Sequence, residues 1–171
     1  WFLKFDEALP VYHPPLKQKG YPLQMTMGHA RHGIHSMWRD DSFLVSLQRG
    51  EPDIYVNPDD AAARKVRDGD LIEVFNDGGS FICMAHLSAG IMPGTLYMYH
   101  GWDPTMFRGR QNFAAVIPTA GLVKPTSVAG DYGHLGYRVL AYAPNQTYRD
   151  FTCEFKLHSR GKVTAAKVRI A

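Results

Sequence analysis

"IYVNPDDAAARKVRDGDLIEVFNDGGSFICMAHLS", residues 54–88, is the stretch from which the architecture can be read. Residues 54–57 predict a strand, because Ile54, Tyr55 and Val56 are apolar and β-prone. Asn57 then caps a helix over "NPDDAAARKV". Pro58 takes the first turn, where its missing N–H is no loss, and Asp59 and Asp60 face the positive end of the helix dipole. "RDGD" (67–70) supplies a turn. "LIEVFND" and "GSFICMAHLS" follow as two strands joined at Asp77, Gly78 and Gly79. A helix thus hands the chain through an Asp-Gly turn to a long hairpin.

Working outward, "DDSFLVSLQRG" (40–50) predicts a second short helix. Asp40 or Asp41 caps it, Phe43, Leu44 and Leu47 recur at helical spacing, and Gly50 closes it. "PLQMTM" (22–27), "TLYMYHGW" (95–102) and "DFTCEFKL" (150–157) read as strands. Residues 1–21 hold three prolines and little periodicity, which predicts an extended arm. The aromatic side chains of Trp1, Phe2 and Phe5 would pack on a surface missing from this chain. Residues 103–150 turn to Gly, Pro, Asn and aromatics with weak periodicity, and such long irregular regions are usually functional. The inventory is mainly β, about six or seven short strands with two short helices, which points to a closed barrel. The expected organisation is an arm at 1–21, a barrel at 22–158, and a basic, flexible tail at 159–171.

Composition narrows the function classes. The chain has 171 residues, 45% of them apolar, and a net charge of +3, which suits one domain with its own core. The charge is too small for nucleic-acid binding, and no Lys/Arg stripe interleaves with aromatics. No apolar run approaches the roughly 18 residues of a membrane span. The chain opens with Trp1 and has no charged start before an apolar stretch, so it reads as a fragment or a processed piece. Cys83 and Cys153 are far apart, outside any CxxC pair, and read as buried free thiols. No Ser–His–Asp order, P-loop or GxGxxG is present.

The strand–helix–turn–hairpin unit resembles the double-psi β-barrel that ends the catalytic subunits of the molybdopterin-dinucleotide oxidoreductases, the dimethyl-sulfoxide-reductase family. Other segments agree in order and spacing. "YPLQMTMGHARHGIHSMW" (21–38) resembles the family's first strand and polar loop, and "NDGGSF" (76–81) its hairpin turn. "GLVKPTSVAGDYGHLGYR" (121–138) with "NQTYRD" (145–150) resembles the closing segment of one branch. That branch includes the respiratory nitrate reductases. "KPT", "YGHL" and the "LPVY" of the arm are most similar to the ethylbenzene dehydrogenase, dimethylsulfide dehydrogenase and selenate reductase type α subunits. The resemblance covers most of residues 8–157, and the tail matches nothing.

It implies a mainly β, double-psi barrel that serves as a C-terminal binding domain for molybdenum bis(molybdopterin guanine dinucleotide). The whole enzyme would be a molybdenum oxidoreductase, transferring an oxygen atom or hydroxylating with water. The 4Fe-4S cluster and the metal's protein ligand belong to upstream domains. The implied partners are those domains and an iron–sulfur β subunit. The implied location is the periplasm, or the cytoplasmic face as in the nitrate reductases.

The residue-level candidates begin with "GHARHGIHS" (28–36), three histidines spaced by three around Arg31. A pyrophosphate-bearing pterin calls for imidazole donors, a guanidinium fork, a hydroxyl and close backbone amides. The resemblance assigns His29 and His35 to the pterin and includes Arg31 and Ser36, while His32 has no counterpart. Two alternatives stand beside this: solvated loop residues, or a metal site built from all three histidines, which would need convergence and lacks a nearby fourth ligand. The resemblance also places Lys124, Tyr132 and His134 over the second dinucleotide, although a Tyr and His packed at a loop corner would look the same. Gln146 and Arg149, beside Asn145 and Asp150, can read a guanine edge. Asp77 is expected to be structural, and no residue is assigned a catalytic role. The rival from another class is a stand-alone barrel acting as a binding or adaptor module without redox work.

Overall fold

The computed structural model describes residues 20–47, 49–117, 123–125, 137–139 and 151–161, with the backbone alone for 123–125 and 137–139. Six strands close into a barrel: β1 (Leu23–Gly28), β2 (Asp53–Val56), β3 (Leu71–Asn76), β4 (Gly79–Leu87), β5 (Thr95–Tyr99) and β8 (Phe151–Ser159). Two more, β6 (Val123–Pro125) and β7 (Tyr137–Val139), form a separate antiparallel pair. Around the barrel the order is β1-β5-β2-β4-β3-β8, with β1·β5 and β2·β4 parallel and the remaining pairs antiparallel. The connectivity is therefore crossed rather than up-and-down, and ring closure leaves none of the six strands with an open edge. The expected mainly β barrel with two short helices is what the chain forms.

Alternation fills the interior. Met25, Ile54, Ile72, Val74, Ala85 and Met98 are fully buried, and Phe81, Phe151 and Phe155 close the remaining volume. Cys83 and Cys153 are free thiols in this core. Burial pushes the Cys153 thiol up to about 12 and that of Cys83 well above its ordinary value. Both are held as inert apolar side chains.

Helix α2 (Pro58–Ala63) begins as its sequence dictates. The Asn57 carboxamide accepts the Asp59 N–H at 2.8 Å and donates to the Ile91 carbonyl at 2.7 Å, so the cap also holds the loop before β5. The helix ends at Ala63, short of the predicted span. Arg64, the C-cap, lies over the Phe155 ring and forms a two-point contact with Glu154 on β8 at 2.5 and 3.1 Å. Beyond β8, the Arg160 guanidinium meets Asp70 at 2.6 Å and the Gly161 N–H donates to the same carboxylate at 3.0 Å.

Helix α1 (Ser42–Ser46) forms within the stretch 40–50 that predicted it and is shorter than that stretch. Asp41, not Asp40, is its cap, accepting from the Phe43 and Leu44 N–H groups. Of the residues at helical spacing, Phe43 and Leu47 are 69% and 50% exposed and Leu44 is half-buried, whereas Val45 is buried. A helix of five residues cannot present a full apolar stripe, and Arg49 and Gly50, both at positive φ, turn the chain away immediately after it. No helix among the described residues is long and apolar enough to cross a membrane.

Candidate functional site

The site grows from one register pair. β1 and β5 run parallel with Gly28 opposite Tyr99, so the next residue of each strand, His29 and His100, leaves the same barrel end side by side. The His100 N–H donates to the Gly28 carbonyl at 3.0 Å and extends the ladder by one bond. The loop after β1 then doubles back through tight turns, with the Met37 N–H on the Ile34 carbonyl at 2.9 Å. That fold brings His35 onto the pair. The ring centroids are 4.5 Å apart for His29–His100, 4.7 Å for His29–His35 and 5.0 Å for His35–His100. One nitrogen from each ring lies within 4.8 Å of the others; His29 and His35 are exposed and His100 is buried.

The geometry depends on backbone conformations that few residues adopt. His35 and Trp38 have φ of 53° and 62°, in the left-handed region. Gly101 has φ of 89°, and a side chain there would strike the His35 carbonyl and the Ser36 amide. Below the loop, the buried Arg39 guanidinium donates to the His100 carbonyl at 3.0 Å and lies 3.9 Å over the Trp102 ring. Burial lowers the Arg39 pKa and the neighbouring Asp53 carboxylate raises it, and an arginine stays charged in either case.

Beside the histidines is a cleft of about 250 Å³ lined by Arg31, Arg49, Asp53, Tyr55, Tyr99 and Trp102. Asp53 is almost wholly buried. Burial pushes its carboxyl up to about 6 against the pull of Arg49, 3.7 Å away. Trp102 also lines this cleft, and its indole N–H is buried with no hydrogen-bond partner among the described residues. An adjoining hollow is bounded by Arg31, Gly33, Ile34 and Trp38. The cleft itself offers the guanidinium groups of Arg31 and Arg49, the His32 imidazole and aromatic walls, and the His29–His35–His100 trio stands at the same barrel end, a set suited to a large, flat, polar and anionic molecule. The donor chemistry therefore fits a pyrophosphate-bearing pterin. Among the described residues no group here is arranged as a nucleophile beside a base.

Of the residues singled out in the sequence, His29 and His35 meet each other, and Arg31 lines both hollows. Ser36 lies in the exposed turn against Gly101. Lys124 is in β6, opposite Arg138 of β7. Tyr132, His134, Gln146 and Arg149 lie outside the described residues. His32 is exposed on the cleft side, and the third member of the trio is His100. Sequence reasoning missed it because "TLYMYHGW" reads as continuous strand. The structure ends that strand at Tyr99. The signal was the His-Gly pair interrupting the alternation at the point where the chain leaves the barrel.

Comparison with known proteins agrees with this chemistry. Residues 23–134 match the family model described as "Molydopterin dinucleotide binding domain". The dimethylsulfide dehydrogenase subunit alpha of Rhodovulum sulfidophilum is 35% identical over 147 residues, 85% of this chain and 16% of that protein. The perchlorate reductase subunit alpha of Dechloromonas aromatica is 34% identical over 155 residues, 91% of this chain and 16% of that protein. The respiratory nitrate reductase subunit alpha of Haloferax mediterranei is 38% identical over 130 residues, 75% of this chain and 13% of that protein. The acetylene hydratase from Pelobacter acetylenicus shares the fold, with a TM-score of 0.56 at 20% identity, over 87% of this chain and 21% of that one. The chain thus spans about one sixth or less of the length of these three alpha subunits.

Proposed function

The chain belongs to the molybdopterin dinucleotide-binding domain family, and from that membership we propose that it is the C-terminal cofactor-binding domain of a molybdenum oxidoreductase catalytic subunit. The observation that carries this is the convergence of His29, His35 and His100 at one barrel end, on the loop that also carries Arg31 into the neighbouring cleft. Bound there as a bis(guanine dinucleotide) form, the cofactor would supply two-electron chemistry, either oxygen-atom transfer or water-dependent hydroxylation. The protein's own part is to bind and orient. The imidazoles offer N–H donors to pterin heteroatoms, Arg31 offers a two-point contact to a pyrophosphate, and Trp102 offers its buried N–H. Upstream domains carrying a 4Fe-4S cluster, an iron–sulfur β subunit and a periplasmic location complete the reading. Its support is similarity to alpha subunits that are several times longer than this chain. A stand-alone adaptor module has no such support, since these relatives are named as dehydrogenase and reductase subunits.

The test has two arms. Calorimetric titration of the 171-residue chain with GDP, a stand-in for half the cofactor, should show saturable binding that weakens about tenfold or more in Arg31→Ala, the worth of one charge-assisted contact. In the full-length catalytic subunit, His100→Ala should lower the molybdenum content per subunit, measured by mass spectrometry. Unchanged GDP affinity together with unchanged molybdenum content would sink the proposal.

A further inference from the structure

We propose that in the cofactor-free chain His29, His35 and His100 form a binding site for a single borderline transition-metal cation, zinc(II) or copper(II). The inference goes beyond the cofactor reading and does not depend on it. It rests on a trio the sequence did not display: two histidines from the loop after β1 and one from the exit of β5, with one nitrogen of each within 4.8 Å of the others. Zinc–imidazole bonds of about 2.0–2.1 Å in a tetrahedron place the nitrogens about 3.4 Å apart. The nitrogens, at most 4.8 Å apart, therefore have to draw closer by up to about 1.4 Å, which the exposed His29 and His35 can do by side-chain rotation.

His100 is the fixed ligand. Its backbone is held on both sides, through its N–H to Gly28 and its carbonyl to Arg39, so its ring is presented to the loop rather than searching for it. His29 and His35 are exposed and leave an approach from solvent. Three imidazoles with the fourth position open to water is a common zinc arrangement. The ligand set selects the metal as well. Among the described residues no carboxylate belongs to the cluster, so calcium and magnesium, which require oxygen ligands, are disfavoured, whereas imidazole suits zinc and copper. The charged neighbours are Arg31 on the loop and the buried Arg39 beneath, whose guanidinium is spent on the His100 carbonyl and the Trp102 ring. In a loaded protein the same ring nitrogens would face the cofactor, so the cation site belongs to the unloaded state.

Cobalt(II), whose visible absorption reports tetrahedral nitrogen coordination, is the probe. Titrated into the metal-free 171-residue chain at pH 7.5, it should saturate at one equivalent and be displaced by zinc. His100→Ala and His35→Ala should each weaken binding at least tenfold, and His32→Ala should leave it unchanged. His35 is exposed, so the test stays decisive even if His100→Ala fails to fold. No tetrahedral spectrum at one equivalent, or equal binding by His35→Ala, would overturn the site. Loss in His32→Ala instead would return the ligands to the contiguous HxxHxxH set and equally overturn it. Failure here leaves the GDP and molybdenum measurements untouched, so the two readings fall separately.

Discussion

Gly101 shows how much a single residue decides at this site. Its φ of 89° and its approach to the His35 carbonyl leave no place for a Cβ, so Gly101→Ala must move the loop or the strand exit. The left-handed conformation alone costs about 1–2 kcal/mol in an L-residue, and the collision adds to it. Urea unfolding should show a loss of about 2 kcal/mol or more, and a variant as stable as wild type would contradict the described loop. Asp53 acts through charge. Its carboxyl is raised by burial from 3.8 to about 6, so the folded state holds its proton more tightly than the unfolded chain does. That stability is complete below about pH 4 and is lost as pH rises to about 6, by on the order of 3 kcal/mol at 1.36 kcal/mol per unit. Asp70, Glu73 and Asp103 are shifted the opposite way and act at lower pH. The difference between wild type and Asp53→Asn, measured from pH 4 to 7, therefore isolates this group. The wild type should lose stability over that range relative to the variant, and parallel curves would refute the assignment.

Among the elements, those with strong local signals formed where the sequence placed them. Asn57, Pro58 and the two acids after it specify a helix start that needs no tertiary help. Yet Asn57 does more than a cap must, because its amide also holds the Ile91 carbonyl. Asn57→Ala should cost about 1–2 kcal/mol in thermal or urea unfolding, the upper part of the range for a lost cap, whereas Asn57→Asp should keep the cap and lose only the second bond. A cost below a few tenths would show that the cap is redundant. Helix α1 is the contrasting case: its apolar residues recur at helical spacing, but five residues are too few for that spacing to bury a whole face. Strand β5 was found correctly and ended wrongly, which hid His100. Periodicity marks an element's middle far better than its last residue.

In the whole molecule the barrel is closed, and closure is its main source of cooperativity. β8 bridges β1 and β3 and brings Phe151, Cys153 and Phe155 into the core. Truncation before Phe151 would leave two long strand edges open and remove those side chains together. Such a chain should lose its near-ultraviolet dichroism and aggregate, and a soluble monomer with native dichroism would show that the ring is not required. The barrel itself was legible in advance because strand alternation, the helix cap and turn residues are local properties, read within a few positions of sequence. So were the histidine loop and Arg31, whose density of polar donors marks a site in any fold. The tertiary structure alone chose which histidines meet. His32 is nearest in sequence to its neighbours, but the positive φ at His35 and the turn through Ile34–Met37 fold the loop so that His35 and His29 converge with His100. The parallel register of β1 with β5 supplies that third ring across about seventy residues of chain. Sequence separation carries no information about such a pairing, because strand register is set by the packing of the whole barrel and not by either strand alone.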